Sequence, residues 1–208
     1  MVDRYFSNKS LKLGKRERTR SALIDSAIKV IAEKGFESAS IKEITQAAGL
    51  ANGTFYNHFT DRESLASEAA GVAIFEIALE IKEEVKDIED GLDKVIVSSD
   101  KVVDRTINAP TWGKIIIGAW HHLDDFQQDV AQIMRSDLNL AKRQGLTSLP
   151  INKLLEYQIC SLIVLSISLQ LKNGRNKATR LETAEAILRL LGIAPAEAKQ
   201  RAQKALFG

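Results

Sequence analysis

Two helix-start signals, Ser40-Ile41-Lys42-Glu43 and Thr60-Asp61-Arg62-Glu63, bracket a stretch with room for little more than a turn and one small helix. In each, the first side chain can accept from the amide three residues on, while the glutamate reaches back to the first residue's amide. Between them, Gly49 is a natural stop for the helix begun at Ser40, with Leu50 as the apolar residue behind it. A short helix over 52–58 follows, anchored by Phe55 and Phe59 four residues apart. Asn52 or Ala51 caps it, and Asn52 has the better side chain for that role. This helix crowds Thr54, Tyr56, Asn57 and His58 into little more than one turn. A core helix avoids such side chains, and a plain surface helix favours Lys, Glu and Ala.

The rest of the chain carries helical period almost throughout, without strand alternation or hairpin turns. Leu23, Ile24, Ala27, Ile28 and Ile31 form one apolar stripe over 16–34, which Gly35 can end in the left-handed conformation with Phe36 folded back. Ile41, Ile44 and Ala48 face a common core. From 62, a long helix runs to about Lys86, a fifth ends before Pro110, and others cover about 111–121 and 126–145. Pro150 opens a long helix closed by Asn173-Gly174, the last main helix runs over about 178–191 to Gly192, and Pro195 precedes a short polar tail helix. The predicted fold class is all-α, and 208 residues suffice for a small unit joined to a larger one.

Helix, glycine turn, helix, with alanines at 47, 48 and 51, is the pattern of a helix-turn-helix. Such a unit lays its second helix in the DNA major groove. Asn52 and Thr54 suit bases or nearby phosphates, Tyr56, His58 and Arg62 suit phosphate oxygens, and Gly53 lets the backbone approach closely. Tyr56 and His58 also fit ordinary packing at a helix junction.

Over about residues 16–65 the chain resembles the tetracycline-repressor (TetR) family of bacterial transcriptional regulators. The resemblance rests on GLANGTFYNHFTDRESL, at Gly49, Gly53, Tyr56, His58, Phe59, Glu63 and Leu65, with RERTRSALIDSAIKVIAEKGFESASIKEIT upstream similar to the family's first two helices. It implies phosphate contacts from Ser40, Thr54, Tyr56, His58 and Arg62, and base contacts from Lys42, Asn52 and the Gly53 backbone. It also implies a repressor that binds a pseudo-palindromic double-stranded DNA operator and is released by a small-molecule effector. Ala51 stands where many members carry Ser, so Asn52 is left as cap and reader alike. Arg62 replaces a more usual Lys and keeps the charge.

The resulting domain expectation is a basic arm over 1–15, a helix-turn-helix unit over 16–62, and an effector-binding and dimerisation domain over 63–208. The net charge of +2 says little, but Arg4, Lys9, Lys12, Lys15, Arg16, Arg18 and Arg20 face only Asp3 and Glu17 at the N-terminus. That arm suits a polyanion or is a solubilising tail. The helix from Pro150 is apolar nearly all round, so its outer face is expected to meet a second copy, with Leu162, Leu165, Leu169, Ile187 and Leu191 at the homodimer interface. Phe75, Trp112, Trp120, Phe126 and Met134 are candidates to line a pocket for a largely apolar effector, and equally fit ordinary core.

Cys160 sits in an apolar run, as a buried thiol does. The run 159–171 is too short to span a bilayer and contains serines, so no membrane association is expected. Residues 1–20 lack a signal-peptide core, which points to the cytoplasm. His121, His122, Asp124 and Asp125 read as a polar helix end, so no metal and no cofactor is expected. Without a catalytic triad or phosphate loop, neither is an enzyme.

Overall fold

The computed structural model describes residues 14–208, so nearly all of the basic arm lies outside the described residues. Every regular element among them is helical. In order they are α1 (Lys15–Lys34), α2 (Ile41–Ala47), α3 (Asn52–Phe55), α4 (Arg62–Glu84), α5 (Gly91–Asn108), α6 (Pro110–His122), α7 (Asp124–Arg143), α8 (Lys153–Asn173), α9 (Lys177–Leu190) and α10 (Pro195–Phe207). The glycines predicted to end helices, Gly35, Gly49, Gly145, Gly174 and Gly192, all take positive φ.

The first three helices share one core. Leu23, Ile24, Ala27, Ile28 and Ile31 of α1 are buried together with Ile44, Phe55, Phe59 and Leu65. At Ser40 the reciprocal cap forms as predicted, with the Glu43 amide donating to the Ser40 hydroxyl and the Ser40 amide to the Glu43 carboxylate. The third helix is shorter than the predicted 52–58. It ends at Phe55, after which His58 N–H donates to the Phe55 carbonyl and the chain tightens into turns. Four residues cannot hold a helix in water alone. Phe55 and Phe59 hold it instead, each contributing about 1.5–3 kcal/mol by burial.

At the start of α4, Asp61 caps the helix rather than Thr60. Its carboxylate accepts from the Ser64 amide at 2.6 Å, and the Thr60 hydroxyl turns to Asp61 and Ser64. A charged acceptor outcompetes a hydroxyl for the free amide.

The larger body is a bundle in which α5 and α8 are central, α5 packing on α7, α8, α9 and α10, and α8 on α6, α7 and α9. The tail helix belongs to this body and is not merely polar. Ala198 and Ala202 are fully buried, Arg201 pairs with Asp90 and Asp93, and Phe207 lies under Lys177 and Arg180.

Helix α8 is longer than its apolar run indicates. At 21 residues and a mean hydropathy of 1.6 it matches a membrane span by length and composition, yet half of that stretch is buried inside this bundle. Three of its polar side chains, Glu156, Ser166 and Gln170, are buried. Glu156 is 1% exposed and takes a two-pronged bond from Arg135 of α7, and Ser166 and Gln170 are buried against each other. Leu154, Leu165 and Leu169 point outward.

Candidate nucleic-acid interface and effector cavity

The second and third helices present one continuous exposed surface carrying Ser40, Lys42, Asn52, Gly53 and Tyr56, with Thr54 and His58 half-buried beside them. Ala51, not Asn52, occupies the capping position of α3, and it makes no side-chain bond there. Asn52 is the first helical residue, and its side chain meets only the Thr45 hydroxyl, at 3.5 Å. The amide is therefore not tied up as a cap. Tyr56 is 61% exposed, held edge-on against the buried Phe55 ring.

Gly53 has no internal reason to be glycine. Its φ is not positive, and a β-carbon there would meet nothing within 4 Å. The missing methyl matters only to something arriving from outside.

His58 is the constrained member of the set. Its Nδ1 is buried without a hydrogen-bond partner, and burial, followed by Arg16 and Arg20, lowers its pKa. A neutral imidazole offers a single N–H donor. Arg20 bonds Glu68 and lies 4.5 Å over the Phe59 ring, which ties α1 to α4 behind this surface.

Arg62 is occupied otherwise than the sequence implied. Its guanidinium donates to the carbonyls of Phe36, Glu37 and Ala39 and to the Glu63 carboxylate. It latches the start of α4 to the turn between α1 and α2. The same turn is held from the other side by α6. The His122 ring stacks on Phe36 at 5.2 Å and 7°, and a β-carbon at Gly118 would come within 2.7 Å of the Phe36 side chain. His122 Nε2 also lies 3.5 Å from the Glu37 carboxylate. Among the described residues, no group of three or more His, Cys, Asp and Glu could hold a metal; the Asp125 side chain lies outside them.

Between α4, α5, α6, α7 and α8 lies a cavity of about 430 Å³. Phe75, Trp120, Phe126 and Met134 line it; Trp112 does not, and packs at the edge of the core instead. Burial pushes the Cys160 thiol in its wall up to about 12, which leaves it without nucleophilic character near neutrality. The cavity also takes Lys82 from α4, Lys94 and Ser98 from α5, and Asp137 from α7. These escaped the sequence reading because they lie on three helices with no local spacing in common. Asp137 is raised by burial, opposed by Ser136, Lys94, Ser98 and Lys82.

The outer face of α8 forms a groove with α9, lined by Leu154, Tyr157, Leu162, Leu165, Ala186 and Leu190 among others. Here two predicted interface positions need correction: Ile187 and Leu191 are buried in the chain's own core, at 0% and 1% exposure. In α9, Ile187 and Leu188 lock inward, so the outward positions are Ala186, Arg189 and Leu190.

Residues 23–69 match the family described as bacterial regulatory proteins, tetR family. An HTH-type transcriptional regulator of Haemophilus influenzae is 30% identical over 103 residues, covering 49% of this chain and 50% of the relative. The HTH-type transcriptional regulator AcrR of Shigella flexneri is 26% identical over 125 residues, covering 60% and 58%. The chain thus matches about half the length of these curated relatives. The crystal structure of RolR in complex with resorcinol superposes with a TM-score of 0.73 at 26% identity, covering 91% of this chain and 95% of that one. Residues 23–69 thus match the tetR family, and the chain shares with RolR an all-helical fold, an N-terminal helix-turn-helix unit followed by a helical body.

Proposed function

We propose that this chain is a transcriptional repressor. It acts in the cytoplasm, without catalysis, and binds a pseudo-palindromic double-stranded operator as a homodimer until a small molecule fills the cavity. Residues 16–62 carry the DNA contacts, from Ser40, Lys42, Asn52, Gly53, Thr54, Tyr56 and His58, while Arg62 positions the unit. Residues 63–208 carry effector binding and pairing.

The observation that carries this reading is the distribution of exposed large apolar side chains. They are Tyr56, then Phe75, Leu79 and Ile133, then Leu154, Leu165 and Leu169. The first stands on the candidate DNA surface, the next three line the cavity, and the last three lie along the outer face of α8. Apolar side chains clustered in water, as around the cavity and along α8, mark contact sites. RolR, a solved relative, was crystallised with a small aromatic ligand, which supports the effector part of the reading.

Selection from random duplexes identifies the operator, and Asn52→Ala then tests the assignment. Losing an amide-to-base contact costs about 1–3 kcal/mol of discrimination, with binding to unrelated DNA unchanged. An equal loss on every sequence would overturn the reading of Asn52 as a base reader.

A further inference from the structure

The cavity wall is mostly apolar, and its polar residues include Lys82, Lys94, Ser98, Ser136 and Asp137, a set with two ammonium groups against one carboxyl. Neither lysine forms a salt bridge among the described residues; the Lys94 ammonium donates to the Lys86 carbonyl at 3.5 Å. The Ser98 hydroxyl is buried and reaches no partner in hydrogen-bonding geometry, although it lies close enough to Asp137 to influence it. Lys86, also on the wall, leans out to Glu83.

Three kinds of ligand head can meet such a cluster. An ammonium would face two lysines. An uncharged hydrocarbon would leave the buried Ser98 hydroxyl without a partner and gain nothing from the half-buried Lys94 or the exposed Lys82, and the unpaired group costs free energy. An anion would accept charge-assisted bonds from both ammonium groups and a bond from the Ser98 hydroxyl. Asp137 is the opposing charge, raised by burial and opposed by Ser136, Lys94, Ser98 and Lys82, and it can offset only one of the two ammonium groups.

Taking the cavity as the effector site, we infer that the effector is an apolar monocarboxylate. Its carboxylate sits at Lys82, Lys94 and Ser98, and its body lies along Phe75, Trp120 and Phe126. At about 430 Å³ the cavity falls within the roughly 300–1,000 Å³ range of small-molecule sites.

Three probes sharing one ten-carbon chain separate the possibilities: decanoate, 1-decanol and decylamine. Binding to the full-length protein is followed through tryptophan fluorescence, since Trp120 lines the cavity. Decanoate binds at least tenfold more tightly than decanol, and decylamine binds most weakly. The Lys82→Met, Lys94→Met double variant loses the advantage of decanoate over decanol while still binding decanol, which also shows that it folds. Equal affinities, a preference for the amine, or a double variant that keeps the preference would overturn the inference. Operator release measured in parallel tests the repressor reading separately. Selective decanoate binding that leaves the operator complex intact would refute that reading and leave the head-group inference standing.

Discussion

Replacing Gly53 by alanine should separate stability from DNA binding, with the two moving in opposite directions. Inside the protein the substitution costs nothing sterically, because the new methyl meets no atom within 4 Å and the backbone is not in the left-handed region. Alanine in place of glycine at a compatible position stabilises by about 0.4–1 kcal/mol, mostly through the unfolded chain. The short α3 places the gain at the low end. On the outside, a methyl inserted between closely packed surfaces costs about 1–3 kcal/mol. At about 1.4 kcal/mol per tenfold, operator affinity falls by roughly 5- to 150-fold. Urea denaturation reads the first effect and fluorescence anisotropy with the selected operator reads the second. A Gly53→Ala protein that binds its operator within about twofold of the parent would refute the close approach of α3 to DNA. Gly118→Ala is the converse control. Its methyl would collide with Phe36 at 2.7 Å, so that variant loses stability.

Other perturbations test the remaining assignments. Leu165→Glu, at a position 54% exposed in one subunit, leaves the helical content intact and weakens self-association by about 2 kcal/mol or more; sedimentation showing an unchanged dimer would contradict the α8 face. Arg62→Ala lowers the unfolding free energy by about 1–3 kcal/mol through lost charged hydrogen bonds while the salt slope of DNA affinity stays put. A phosphate clamp would instead shed about 0.9 from that slope. Glu43 is held down to about 2 by Lys34 and Ser40, below its usual 4.5. A lowered folded pKa means its contribution is complete above about pH 4.5 and is lost as pH falls toward about 2. Acid titration of α2 amide signals should show that loss, and Glu43→Gln should remove the step.

Local chemistry was legible in the sequence and long-range geometry was not. Helix ends depend on neighbours within a few residues, so Gly35, Gly49, Gly145, Gly174 and Gly192 marked their stops directly. The stripe of α1 was equally plain, because one apolar face follows from period alone. Competition between adjacent groups was harder to read. Both Thr60 and Asp61 could cap α4, and only the geometry shows the carboxylate taking the Ser64 amide. Helix phase was harder still: Ile187 and Leu190 look alike in sequence, and packing turns the first inward. Arg62 looked like a phosphate ligand because nothing local reveals three carbonyls gathered from residues 36–39. The lysines of the cavity are invisible for the same reason, as Lys82, Lys94 and Asp137 meet only once α4, α5 and α7 have packed.

The contact between Gly118 and Phe36 has a mechanical side. Most packed pairs can absorb a small displacement by changing rotamers on both partners, but a glycine has none to change. Here the main chain of α6 bears directly on an aromatic ring, with the His122 ring stacked on it as well. Ile116 and Trp120 flank Gly118 on the same helix, and both form cavity wall. This stretch of α6 therefore abuts the turn ahead of Ser40 with main chain on one side and an aromatic ring on the other. Under the proposed repressor reading, a ligand that displaces this stretch of α6 would press on that turn first.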